Sequence, residues 1–346
     1  MAAVIAAATP HADEGTAMND PAPGRAAIDE VVHGSLEAVY RKCRDDTSGA
    51  VADYIPELAR VDADRFGIAV ATAEGRLWRF GDADDEFTMQ SVSKCLVFCM
   101  ALELLGRRQV FEFVGVEPSG DAFNAIVFDP HTGRPFNPMV NAGAITIAGL
   151  LYGALGDGAM PALLERLSRA AGRDLKVSEA VYVSERETGH RNRAIAHLLL
   201  NVGALSAPVE AVLDLYFRQC SILASAVDLA RMGATLANIG KNPVTGDPVF
   251  DVAAVRDTLA VMFTCGMYDY SGHWAIDVGM PAKSGVGGGI LGVVNRQLGI
   301  GTFSPRLDAK GNSVRGVEVC RRLADDLGLH AFECTNYGSS FVRGML

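Results

Sequence analysis

Gln90-Ser-Val-Ser-Lys-Cys-Leu-Val-Phe-Cys-Met-Ala-Leu-Glu-Leu-Leu105, closed by Gly106, is the stretch on which the reading of this chain turns. It is an apolar run of helical length ending in a helix-stop glycine. Lys94 is the one acidic or basic residue between Phe87 and Leu102. Ser91 and Lys94 stand three apart, so a helix brings them to one face. Ser91 lies at the helix start, where free N–H groups favour a developing anion. A lysine on a helix apolar nearly all round is desolvated, which lowers its pKa from the ordinary value of about 10.4. Its neutral amine can then accept the hydroxyl proton of Ser91. The bland alternative is a Lys94 that snorkels out of the first turn. With 17 serines and six lysines in the chain, an S-x-x-K match also arises readily by chance.

Outward from this stretch, Phe66–Thr72 and Arg76–Phe80 are short β-rich runs joined by Ala73-Glu-Gly75, which predicts a hairpin. Ile28–Ala59 reads as helix, broken around Thr47–Gly49 and Pro56. Residues 141–240 are rich in Ala and Leu at helical spacing, with few strand signals. Gly287–Val294 and Gln297–Phe303 read as two buried strands, and Val314–Leu327 as an amphipathic closing helix. The two ends of the chain are expected to share one sheet. The organisation predicted is a flexible tail over 1–27, a catalytic domain over 28–334 and a C-terminal tail over 335–346. Within that domain a sheet lobe takes about 28–85 and 276–334, and a helical lobe takes 86–275. A ligand is expected in the cleft between the lobes.

The 346 residues are 49% hydrophobic and 21% charged, an ordinary globular composition. A formal charge of -10 argues against nucleic acid or an anionic membrane as partner. No apolar stretch reads as the 18 or so residues needed to cross a bilayer, and the N-terminus lacks a basic, signal-like start. The seven cysteines (Cys43, Cys95, Cys99, Cys220, Cys265, Cys320 and Cys334) show no C-x-x-C pair and fit reduced thiols in the cytoplasm. His190 and His197 lack the H-E-x-x-H pattern and a third ligand, so no metal and no other cofactor is expected.

A second motif is Lys283-Ser284-Gly285, followed by Val286. Serine enzymes with an S-x-x-K dyad commonly carry K-[ST]-G on a strand beside the nucleophile. The chemistry asks for a cation near the substrate's anionic end and for a small residue that lets backbone approach closely. The N–H groups of Ser91 and Val286 would then form an oxyanion hole. G-x-x-x-x-G-K-[ST] is absent, which excludes a P-loop.

Seven segments together closely resemble the bacterial-type glutaminase family. They are Tyr54-Ile-Pro-Glu-Leu-Ala59, Gln90-Ser-Val-Ser-Lys94, Asn137-Pro-Met-Val-Asn-Ala-Gly-Ala-Ile145, Ser184-Glu-Arg-Glu-Thr-Gly-His-Arg-Asn192, Leu215-Tyr-Phe-Arg-Gln-Cys-Ser221, Cys265-Gly-Met-Tyr-Asp-Tyr-Ser-Gly272 and Ala282-Lys-Ser-Gly-Val286. The resemblance runs in family order from about residue 28 to 330. It implies an α+β fold of the serine β-lactamase/transpeptidase-like type, an antiparallel sheet flanked by helices plus a helical lobe. It implies hydrolysis of L-glutamine to L-glutamate and ammonia through a γ-glutamyl-serine, and a homodimer or homotetramer.

Position by position, the resemblance implies Ser91 as nucleophile, Lys94 as general base, Tyr268 as proton shuttle and Tyr54 at the edge of the acyl group. Asn141, Glu185, Asn192 and Tyr216 would hold the substrate's α-amino and α-carboxylate groups, with Gln90 lining the site. The chemistry agrees, because a free amino acid's ammonium needs a full negative charge and Glu185 supplies one. Amide and phenol donors can hold the carboxylate without a second strong cation. Taken singly, each residue has a plainer reading. Asn141 fits an N-cap, Ser184-x-x-Glu187 fits a capping box, and the three tyrosines fit half-buried core. His190 stands where relatives carry an acidic residue. Two alternatives remain: a penicillin-recognising serine hydrolase on the same fold, for which the usual S-D-N is missing, and a non-catalytic glutamine-binding homologue.

Overall fold

Two β-rich patterns at opposite ends of the chain each leave ladder groups for a partner to satisfy, and they satisfy one another. The computed structural model describes residues 23–121 and 125–333. Helix α1 spans Pro23–Cys43. It begins within the stretch read as a tail, with proline tolerated in its first turn, and ends well before Ala59. Beyond it only a 3₁₀ turn at Leu58–Arg60 is helical before the first strand. Strands β1 (Gly67–Thr72) and β2 (Leu77–Gly81) form the expected hairpin. The two-residue β3 (Phe87–Thr88) leads through a 3₁₀ turn, Gln90–Val92, into α2 (Ser93–Leu105), which stops at Gly106 with φ +80°.

The helical stretch then resolves into α3 (Arg107–Phe113), α4 (Asn141–Leu155), α5 (Ala159–Ala171), β4 (Lys176–Val177), α6 (Glu179–Thr188), α7 (His190–Asn201), α8 (Val209–Cys220), β5 (Ile222–Ala224) and α9 (Ala226–Ala237). After α10 (Val252–Cys265) and α11 (Ser271–Asp277) come β6 (Ala282–Ser284), β7 (Gly289–Val294), β8 (Leu298–Phe303) and α12 (Val314–Leu327). The large sheet runs β2-β1-β8-β7-β6, antiparallel throughout, with Gly67 opposite Phe303 and Thr72 opposite Leu298. This is the mixed α+β architecture expected from the sequence.

Every residue of β7 and β8 is buried, because helices cover both faces of the sheet. Period-two alternation divides β1 between two cores. Ile68 and Val70 pack with Leu36, Trp274, Val319 and Leu323 under α1 and α12. Ala69 and Ala71 join the larger core on the α9 side. There α9 lies directly on the strand backbone. A Cβ at Gly301 would stand 1.9 Å from the Ala226 carbonyl oxygen, and one at Gly299 would stand 2.2 Å from that of Ala230.

The three-stranded sheet β3-β5-β4 has no counterpart in the sequence reading, since two- and three-residue strands carry no periodic signal. It matters for the site, because the Met89 N–H donates to the Ile222 carbonyl (2.8 Å) just ahead of the Gln90 turn. A second departure is the run Asn141–Ala171, 31 residues with a stretch of mean hydropathy 1.4, which has the length and composition of a membrane span. Its first half, α4, packs against α2, α7 and α8 as an interior helix of the lobe does. Cys43, Cys95, Cys99, Cys220, Cys265 and Cys320 are buried free thiols. Cys334 and the two terminal segments 1–22 and 334–346 lie outside the described residues.

Gly301→Val should lower stability by about 3 kcal/mol through overpacking, read as a lower urea midpoint. Gly153→Ala, where an added methyl meets nothing within 4 Å, should raise it by about 0.5–1 kcal/mol.

Candidate active site

The turn before α2, the start of α4, the α6–α7 junction, α8 and the loop after β6 converge on one open cleft. Eight of the ten residues singled out in the sequence line it: Tyr54, Gln90, Ser91, Asn141, Glu185, Asn192, Tyr216 and Val286. Lys94 and Tyr268 stand behind this wall, Tyr268 bordering a separate cavity on its other side.

Local geometry begins at Gln90, which adopts φ +49°, a left-handed conformation that costs a non-glycine residue energy. The turn is held from below. The Gln219 amide donates to Ser93 Oγ (3.1 Å), and Ser93 Oγ donates to the Gln90 carbonyl (2.8 Å). So fixed, the Gln90 side chain donates to Thr88 Oγ1 (3.3 Å) and to Glu185 Oε1 (2.7 Å). Gly285 supplies the close approach expected of the second motif, since a Cβ there would lie 2.7 Å from the Met89 carbonyl oxygen and 3.2 Å from the Ser91 nitrogen.

Lys94 does not snorkel. It is 1% exposed, and its Nζ donates to Asn141 Oδ1 at 2.6 Å. Burial pulls its pKa down to about 8, against a partial upward pull from Cys220 and Glu185. Asn141 is already inside α4, whose N-cap is Val140, so its side chain is free of capping duty. Its amide nitrogen donates to Asn192 Oδ1 at 3.0 Å. The capping reading of Ser184 fails as well: Ser178 caps α6, accepting from the Val181 N–H, and Ser184 and Glu185 lie toward the other end of that helix.

Glu185 is 5% exposed, and burial pushes its carboxyl up to about 8, with the Gln90 hydrogen bond and the Lys94 charge opposing. Burial thus draws the carboxyl toward its neutral form. A cation arriving beside it would favour the ionised form.

Tyr268 shares the left-handed backbone of Gln90, with φ +57°. Its hydroxyl donates to the Ser284 carbonyl (3.1 Å) and is hydrogen-bonded to Ser91. Burial pushes it up to about 12. Tyr216 is buried and hydrogen-bonded to Cys220, its phenol raised first by burial. Tyr54 lines the cleft while 52% exposed as a residue, and its phenol is raised first by burial.

Lys283 is a correction. It was expected beside a substrate's anionic end, but it is fully buried and absent from the cleft wall. Its Nζ donates to the carbonyls of Ser284 (2.6 Å) and Gly266 (2.9 Å). A strand buried on both faces sends this side chain into the interior, while the following Gly285 approaches the Ser91 nitrogen and Val286 lines the cleft. The sequence reading also missed Ile55, Thr188, Gly189, Arg191 and Cys220, which line the cleft. All five lie within the segments quoted above, and Arg191 adds a basic residue to the wall. His190 opens α7 as an exposed residue and does not line the cleft.

A sequence model of the Glutaminase family matches residues 49–332. A glutaminase of Microcystis aeruginosa is 53% identical over 297 residues, 86% of this chain and 88% of the relative. A glutaminase of Corynebacterium glutamicum is 44% identical over 322 residues, 92% of this chain and 76% of the relative. Among solved structures, that of a probable glutaminase, ybaS, superposes with a TM-score of 0.85 at 39% identity, covering 88% of this chain and 99% of that one. The L-glutamate binding form of Mglu superposes with a TM-score of 0.84 at 43% identity, covering 89% of this chain and 69% of that one.

Replacing Gln90 by Leu removes a donor to Glu185 and should raise the carboxyl pKa above about 8. In difference infrared titration, the protonated carboxyl band of the wild type should fade through that pH and persist to higher pH in the variant. A band absent at pH 6 would contradict the burial argument.

Proposed function

The chain belongs to the glutaminase family and hydrolyses L-glutamine to L-glutamate and ammonia, and we propose that it does so through a γ-glutamyl ester of Ser91. The observation that carries this reading is the shared cleft: Ser91 and Glu185 face one space, with Lys94 buried directly behind. The substrate's ammonium sits against ionised Glu185. Asn141, Asn192 and Tyr216 hold its α-carboxylate, and Tyr54 and Gln90 border the chain that leads to the amide.

The reaction then follows from the proton positions. Ser91 Oγ attacks the side-chain amide carbon while its proton passes to neutral Lys94. The oxyanion is met by the N–H groups of Ser91 and Val286. As the C–N bond breaks, Tyr268 gives its phenol proton to the leaving nitrogen and is reprotonated from Lys94, so ammonia departs neutral and the amine is restored. Water attacks the ester by the same route, its proton returning to Ser91, and glutamate leaves. The Asn141 carbonyl keeps one Lys94 hydrogen engaged, which leaves the lone pair free to face Ser91. Mglu was solved in a glutamate form, and glutamate is the product expected here.

The same reading makes residues 28–334 one catalytic unit of sheet lobe and helical lobe. It places the enzyme in the cytoplasm, in keeping with its free thiols, as a homodimer or homotetramer.

Ammonia release from glutamine by purified protein is the test. Ser91→Ala should lose about 10⁴-fold or more in kcat with its fold intact, and unchanged turnover sinks the assignment. Glu185→Gln should raise KM for glutamine by roughly 30-fold or more, since it leaves a buried ammonium without its counter-charge. The pH profile carries a sign. Lys94 acts when neutral and Glu185 binds when ionised, and both conditions are met above about 8. So kcat/KM should climb as pH rises toward that value, and the climb should be shallower in Glu185→Gln.

A further inference from the structure

Lys94 and Lys283 are both fully buried, and the reaction as written employs only the first. An ammonium has three N–H donors and nothing to accept with. Around Lys283 Nζ stand three acceptors: the Ser284 carbonyl at 2.6 Å, the Gly266 carbonyl at 2.9 Å and the face of the Tyr268 ring, its centroid 4.1 Å away. That arrangement suits a protonated lysine, with the ring contributing a cation–π attraction. The Ser284 carbonyl has a second donor, the Tyr268 hydroxyl at 3.1 Å. Lysine and tyrosine thus converge on one oxygen, and Tyr268 holds a left-handed backbone that its own residue type does not favour.

We propose that Lys283 is a positioning residue for Tyr268. By clamping the Ser284 carbonyl and the underside of the ring, it points the phenol oxygen at Ser91 with the hydroxyl hydrogen turned away. The phenol then presents a lone pair to Ser91 in the resting enzyme, and its own proton rests on the Ser284 carbonyl until the hydroxyl rotates toward the leaving nitrogen. The inference rests on the reading of Tyr268 as proton relay. It differs from the expectation for a K-[ST]-G lysine, which would touch the substrate.

Groups that bear on the charge of this cluster come from several elements. Lys94 and Cys95 of α2 and Cys265 of α10 act on Lys283, and Ser91, Ser284 and Cys220 act on Tyr268. Burial and the Lys94 charge both press Lys283 toward its neutral form, and the three acceptors oppose them.

The experiment is a double-mutant cycle on the full-length enzyme, with kcat and KM for glutamine measured for Lys283→Met, Tyr268→Phe and the double variant, and with circular dichroism and active-site titration of Ser91 as checks on folding. Lys283→Met should lower kcat per titrated site by about 100-fold with KM changed less than threefold. In the Tyr268→Phe background the same substitution should cost little more. Lys283→Arg, which keeps the charge, should recover part of kcat, and it carries the test if the methionine variant does not fold. A large rise in KM would place Lys283 on the substrate and overturn the inference. Fully additive losses would overturn it while leaving Tyr268 as relay, whereas a fully active Tyr268→Phe would sink both.

Discussion

An amine forced out of water is the constraint on which this molecule depends. Lys94 is the second residue of α2, a helix buried from Ser93 to Leu102, and its polar partner is the Asn141 amide. Removing an ammonium from water disfavours its charge, so the same burial that builds the core of the helical lobe also prepares a base. The cost falls on stability and the gain falls on reactivity. Asn141 is spared from capping its own helix, and Asn192 orients it in turn, so the amine meets its partner in a fixed direction.

Around that point the fold is arranged to bring backbone close to backbone. Glycines on β8 let α9 lie directly on the large sheet, and Gly285 lets the loop after β6 reach the Ser91 nitrogen. The short β3-β5-β4 sheet fastens the residue before the Gln90 turn to the segment after α8. The two strained residues of the site, Gln90 and Tyr268, are each held by a carbonyl contact. The Gln90 carbonyl is bound by Ser93 and, through it, Gln219, and the Ser284 carbonyl is shared by Tyr268 and Lys283. Strain of this kind persists only where the surroundings over-determine it.

Electrostatics divides the cleft by role. Glu185 and Lys94 are opposite in type, and burial moves both toward neutrality from opposite directions, to about 8 in each case. Below about 8 the charge of the pair resides on Lys94, and above it on Glu185. A zwitterion that brings its own ammonium restores the carboxylate, which couples binding to ionisation at the place where the substrate is recognised.

The sequence by itself determined what depends on residue type and short spacing. The Ser91–Lys94 turn, the β1–β2 hairpin, the paired strands β7 and β8 and the bounds of α12 follow from apolar periodicity and glycine punctuation, and the desolvation of Lys94 follows from the absence of any other charge between Phe87 and Leu102. The identity of the cleft residues came from seven separated segments whose order could be read but whose convergence could not. Only the tertiary structure decided which side of a strand faces the cleft, and so turned Lys283 inward and left Gly285 at the Ser91 nitrogen and Val286 in the cleft wall. It alone set Gln90 and Tyr268 in left-handed backbone, formed a sheet from strands of two and three residues, and brought Cys220 and Arg191 into the wall. These outcomes are fixed by packing between elements distant in sequence, and a local pattern records a residue's chemistry but not the direction in which its neighbours compel it to point.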